Sequence, residues 1–184
     1  MIRTFMDFVE EKETLVLEPL PYKITDLEGS ISKDTMEYHY NHLAGGYVDR
    51  FNKGIGDMEF NKAGTYLHNL YFQQFKPATN NNSPEGTSKA LIDKVHGDYS
   101  TFKTKIKEHC MGIQGSGWCY MDKNGSIMTI ANHKIVYNIA LLIDWWEHSW
   151  ALDYKWDKEK YLDNIGKIIN WNCISDRIII KNKS

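Results

Sequence analysis

The segment Asp144-Trp145-Trp146-Glu147-His148 sets a carboxylate and an imidazole four residues apart, directly after the apolar run Ala140 to Ile143. At that spacing the two side chains share a face whether the chain is a strand or one turn of helix. An aspartate buried there needs a metal, a cation or several donors to offset its desolvation. The plainer reading is a strand end whose aspartate caps a loop, and periodicity does not choose between the two. The chain carries seven histidines in all. Taken singly, each is more simply a surface or satisfied core residue than a ligand.

Two other histidines lie where a helix could present them. His39 stands in Tyr38-His39-Tyr40, three residues past Met36, and His68 lies between Ala63-Gly64 and Tyr71-Phe72. Added to Asp144 and His148, they would supply three neutral nitrogens and one anionic oxygen. That donor set suits iron or manganese better than copper(I) or a thiolate-bound zinc. A di-iron carboxylate site would need Glu-x-x-His pairs on facing helices. Met36, Thr65 and Trp145 stand three residues before His39, His68 and His148, so none is present.

The elements that must position these groups are legible in outline. Leu20-Pro21-Tyr22 reads as an extended entry. Asp34 with Glu37 resembles a capping box, and Met36, Tyr40, Leu43 and Tyr47 continue at helical spacing to about Phe51. Gly45-Gly46 inside that stretch costs helix stability and predicts a kink or a close packing contact. A second helix is expected from about Phe60 to Phe75, stopping at Pro77, followed by the linker-like ATNNNSPEGTS. Helices are expected over Ser88–His96 and Tyr99–Met111, split by Gly97-Asp98. Trp118–Asp122 and Ile127–Ala131 read as strands around the hairpin turn at Asn124-Gly125, and Ile139–Trp145 completes a small sheet. A last helix is expected from Asp157 to about Trp171. The predicted class is therefore α+β: an N-terminal extension (1–18), a helical hairpin domain (19–79), a linker (80–87) and a C-terminal α/β domain (88–184) with a three-stranded antiparallel sheet.

Composition narrows the function classes. The 184 residues suffice for a core, and 42% apolar content with six Trp and eleven Tyr predicts an aromatic-rich interior. A formal charge of -2 gives no chain-wide attraction for nucleic acid or anionic lipid. The lysines near 103 to 107 form a short solvated face without an aromatic stacking pattern. Cys110, Cys119 and Cys173 have no paired spacing and read as reduced thiols, while the acidic N-terminus reads as neither export signal nor membrane span. The expectation is a cytoplasmic protein that engages neither nucleic acid nor membrane.

Against this background the chain resembles the iron/manganese superoxide dismutases from Leu20-Pro21-Tyr22 to Asn170-Trp171. The resemblance runs through Glu37-Tyr38-His39-Tyr40, His68-Asn69 with Tyr71-Phe72, Gly115-Ser116-Gly117-Trp118, Asp144 to His148, and Asp153-Tyr154-Lys155. The most specific part is Asp-Trp-Trp-Glu-His, similar to the family's Asp-x-Trp-Glu-His. It implies one iron or manganese ion per subunit, held by His39 and His68 from the hairpin and Asp144 and His148 from the second domain. It also implies disproportionation of superoxide to O2 and H2O2 as the ion alternates between trivalent and divalent states. Tyr47 matches a gateway tyrosine, Trp118 and Trp146 an aromatic wall, and Tyr71 and Phe72 an aromatic pair in which Phe72 replaces the usual tryptophan. His133 stands where manganese-type members place a glutamine, and Gly64 where iron-type members often do. The histidine is similar to a subgroup with iron-loaded and metal-tolerant members, which tilts the choice slightly toward iron and keeps manganese open.

In the family, the pair matching Glu147 and His148 bonds across a two-fold axis to its counterpart, which implies a homodimer. Leu43 and Ala151 stand where the family has a histidine and a tyrosine that bond to each other across that dimer, and Lys158 replaces an arginine. These departures motivate an alternative, a weak or inactive metal-binding relative with a structural or binding role.

Overall fold

The computed structural model describes residues 13–180. Residues 1–12 of the expected N-terminal extension, and the last four of the expected C-terminal domain, lie outside the described residues. Residues 13–19, without regular secondary structure, are pinned to the helical hairpin by its asparagines. Asn52 exchanges two bonds with the Leu15 backbone (2.8 and 2.9 Å), and Asn69 bonds the backbone of Val16 and Glu18.

The first arm of the hairpin is continuous: α1 (Lys33–Met36), a π-helical stretch (Glu37–Ala44) and α2 (Gly45–Lys53). The expected capping box is not its start. Ser32, outside the helix in extended conformation, accepts from the Thr35 N–H, whereas Asp34 already lies inside the first turn. Of the kink or close packing contact expected at Gly45-Gly46, a close contact is present, since a Cβ on Gly46 would lie 3.0 Å from an Arg50 side-chain nitrogen; both glycines are helical, and the departure from α geometry comes in the stretch before them. Gly54, in the left-handed region at φ 70°, ends α2. The second arm, α3 (Met58–Gln73), is capped by Asp57, whose carboxylate accepts from the Phe60 N–H.

The second domain contains α4 (Gly86–His96), which begins two residues before the expected Ser88, and α5 (Tyr99–Met111). The strands β1 (Gly117–Asp122), β2 (Ile127–Ala131) and β3 (Ile139–Asp144) form an antiparallel sheet in the order β2-β1-β3. The Asn-Gly turn forms as expected, with Gly125 at φ 92° and Asp122 Oδ1 accepting from the N–H groups of Asn124 and Ser126. A 3-10 turn (Glu147–Ser149) and α6 (Ala151–Tyr154) lead to α7 (Lys158–Ile168) and α8 (Trp171–Ile179). The expected final helix is thus two: Ile169 is extended and Asn170 caps α8 by accepting from the Cys173 N–H.

Every residue of β1 and β3 is buried, which explains their continuous apolar reading. Register pairs Trp118 with Asp144, so the two share one face of the sheet. The edge of β3 is covered by a side chain from the hairpin. The buried Gln74 amide accepts from the Leu142 N–H (3.0 Å) and donates to its C=O, occupying the place of a further strand beside the residue two before Asp144.

Candidate metal centre

Four elements converge on one buried spot. His39 comes from the π-helical stretch, His68 from α3, Asp144 from the last position of β3, and His148 from the 3-10 turn. One ligand-type atom from each lies within 4.8 Å of all the others. His39, His68 and Asp144 are essentially inaccessible, and His148 keeps 13% exposure. Asp144 Oδ2 is 3.2 Å from His39 Nε2, 3.3 Å from His148 Nε2 and 3.8 Å from His68 Nε2.

Local bonds aim these donors. The Trp146 N–H donates to Asp144 Oδ1 (2.8 Å), leaving Oδ2 toward the histidines. His68 Nδ1 lies 2.7 Å from the Gly64 carbonyl, which can only accept, so the proton sits on Nδ1 and Nε2 keeps its lone pair. The Nε2 atoms of His39 and His68 are buried without a hydrogen-bond partner. Unpaired buried nitrogens are costly, and here they surround a carboxylate oxygen. A divalent or trivalent cation resolves both, so the donor set fits iron or manganese.

The protonation states agree. Burial and the neighbouring His148 push His39 down to about 4, and burial with His39 lowers His68 well below the usual imidazole range. Burial alone would raise Asp144, yet His148 and His39 hold it well below the usual carboxylate range. His39 and His68 are thus neutral beside an anionic Asp144 at neutral pH, the forms that bind metal.

Aromatic rings close the pocket. Phe72 and Tyr71 pack on His39 with ring centroids 4.9 and 5.6 Å away, and Trp118 meets His68 edge-on at 5.1 Å. Trp146 stacks on both His133 (4.6 Å) and His148 (5.7 Å). His133 joins two of the wall residues: its Nδ1 accepts from Trp118 Nε1 (3.1 Å), so Nε2 carries the proton and donates to the Tyr47 hydroxyl oxygen (3.0 Å). Burial pushes His133 down to about 4, which keeps this tautomer neutral. Tyr47 is pushed up to about 12, by burial first and then by Asp144.

All of the expected site residues except Glu147, which is exposed beside His148, therefore lie in or around one pocket. Three neighbours were not singled out from the sequence. Gln74 fixes β3, and Tyr161 donates to the Asp144 carbonyl (2.8 Å) while sharing a hydrogen bond with Tyr71 (3.1 Å). Arg50 lies over the Tyr47 ring. Arg50 left a trace in the close packing expected at Gly45-Gly46, and Tyr161 in the helical spacing of the last segment.

Comparison with known proteins agrees with this architecture. Residues 14–62 match the alpha-hairpin domain of the iron/manganese superoxide dismutases, and residues 84–177 match their C-terminal domain. A superoxide dismutase [Fe] of Sulfolobus acidocaldarius is 32% identical, covering 86% of this chain and 90% of the relative. A superoxide dismutase [Mn/Fe] of Porphyromonas gingivalis is 31% identical over 86% of this chain and 96% of the relative. A superoxide dismutase [Fe] of Pyrobaculum aerophilum is 27% identical over 88% and 90%.

Proposed function

The chain belongs to the iron/manganese superoxide dismutase family and acts on superoxide; from that premise we propose that His39, His68, Asp144 and His148 hold its single redox ion. The observation that carries this assignment is the pair of buried, unpartnered Nε2 atoms facing Asp144 Oδ2. When bound, the ion supplies one-electron exchange between its trivalent and divalent states, by which one superoxide leaves as O2 and a second, with two protons, as H2O2. His133 in place of a glutamine, together with relatives named for iron, favours iron over manganese.

The chain's own residues manage water and protons. Tyr71, Phe72, Trp118 and Trp146 exclude bulk water from the ligands. Because His133 donates to the Tyr47 oxygen, the Tyr47 O–H remains available to donate into the pocket, and its raised pKa keeps it protonated at neutral pH. Tyr47 is therefore read as the proton donor and His133 as the residue that orients it.

The domain reading places the hairpin at 19–79, the linker at 80–87 and the α/β domain at 88–184, with two ligands from each side, so that the ion ties the halves together. A homodimer is supported by the surface at Glu147 and His148, where Tyr38, Ala151 and Leu152 line a largely apolar hollow of about 510 Å3 and Leu152 is 61% exposed. Ala151 makes that hollow apolar where the family has a tyrosine of its polar bridge; a monomer in sedimentation at micromolar concentration would remove the dimer. No helix among the described residues is long and apolar enough to cross a membrane, and Cys110, Cys119 and Cys173 are free thiols, which supports the cytoplasm.

The test is metal content by mass spectrometry on protein purified without added metal, with superoxide consumption measured on the same sample and on His68→Ala. The expected result is close to one iron or manganese per chain, with both metal and activity lost in the variant. Stoichiometric metal without activity would favour a structural relative, and unchanged metal in the variant would refute the ligand assignment.

A further inference from the structure

Superoxide is an anion, whereas the chain carries a net charge of -2 and its pocket is built around a carboxylate. The bound ion would offset that carboxylate inside the pocket, and a cation outside the ligand set would add to the attraction during approach. Arg50, half-buried on α2, has its guanidinium carbon 4.8 Å above the Tyr47 ring centroid. Its Nε donates to Asn61 Oδ1 (3.1 Å), and the buried Asn61 is itself fixed by donating to the Ile55 carbonyl (3.0 Å). Gly46 leaves the space: a Cβ there would lie 3.0 Å from an Arg50 terminal nitrogen. No carboxylate among the described residues forms an ion pair with Arg50, and the adjacent Asp49 is taken by Lys53 at 2.8 Å. A buried asparagine thus holds one cation, without a carboxylate partner among the described residues, against the face of the tyrosine that donates into the pocket.

The geometry points to Arg50 as a residue that draws the substrate anion toward Tyr47, with Asn61 fixing its guanidinium. This rests on the metal-site reading above but is separable from it, because metal content and activity of the parent protein are measured first. Arg50 acts on encounter, so its loss lowers kcat/KM most at low ionic strength and leaves metal content unchanged. Loss of one charge at several ångströms from the approaching anion corresponds to roughly a threefold to tenfold fall at low ionic strength.

The experiment compares parent, Arg50→Gln and Arg50→Lys, all metal-loaded, measuring kcat/KM for superoxide and the Kd of azide, a small monovalent anion probe, from about 0.01 to 1 M ionic strength. The Debye length falls from about 30 to 3 Å over that range. The expected result is weaker azide binding and lower kcat/KM in Arg50→Gln, both converging on the parent at high salt, with Arg50→Lys retaining most of the parent's salt dependence. A deficit of equal size at every ionic strength, Arg50→Lys behaving as Arg50→Gln, or no change in an active parent background each overturns the proposal.

Discussion

Replacing Gly64 with alanine sets a gain against a clash, and the structure gives the terms. Gly64 is helical, so alanine there gains about 1 kcal/mol of helix propensity. Its Cβ, however, would lie 2.9 Å from Tyr47 Cγ and 3.0 Å from Cδ1 and Cδ2. The ring has little room to yield, since Arg50 covers it at 4.8 Å, Phe60 packs at 5.9 Å and its hydroxyl is tied to His133. Overpacking of this kind costs about 1–3 kcal/mol, and losing the Tyr47–His133 bond adds about 1 kcal/mol. The net expectation is destabilisation by about 1–3 kcal/mol, with activity falling because Tyr47 is displaced while the four ligands stay. Urea unfolding should show a lower midpoint at unchanged m-value, alongside metal content near the parent's and reduced superoxide consumption. A Gly64→Ala protein as stable and as active as the parent would show that the Tyr47 ring is not confined as described.

Gln74→Ala leaves the Leu142 N–H and C=O buried without their partner, and should cost about 2–4 kcal/mol in denaturant unfolding and loosen the Asp144 ligand; a cost below about 0.5 kcal/mol would mean β3 is held otherwise. Removing the metal with a chelator should lower the thermal midpoint and broaden the transition, because the ion ties hairpin to sheet, and calorimetry on loaded and stripped protein tests this. The metal-free protein should lose stability as pH falls from about 6.5 towards 4. His39 and His133 have folded pKa values near 4 and ordinary values when unfolded, so only the unfolded chain takes up their protons in that window. Stability of stripped protein that is flat across the window would contradict their neutral burial. Tyr161→Phe should keep the fold but release the Asp144 carbonyl, weakening metal retention in a competition titration; equal retention would assign that bond to packing alone.

The sequence by itself determined the class and most of the chemistry. Local signals sufficed for the strand pair around Asn124-Gly125, the helices flanking Gly97-Asp98 and the specific Asp144 to His148 segment, because turn preference and hydrophobic period act over a few residues. The same local signals misplaced the first helix start at Asp34, where Ser32 wins as the residue still outside the helix, and merged α7 with α8, where Asn170 begins a new one. Tertiary structure decided what no spacing encodes: which nitrogen of His68 faces the ion, that Gln74 stands in for a strand, that Tyr161 bonds the Asp144 carbonyl, and that Gly46 makes room for Arg50. Each of these joins residues far apart in sequence or depends on side-chain direction, and both are fixed only when the hairpin packs on the sheet and buried polar groups must find partners.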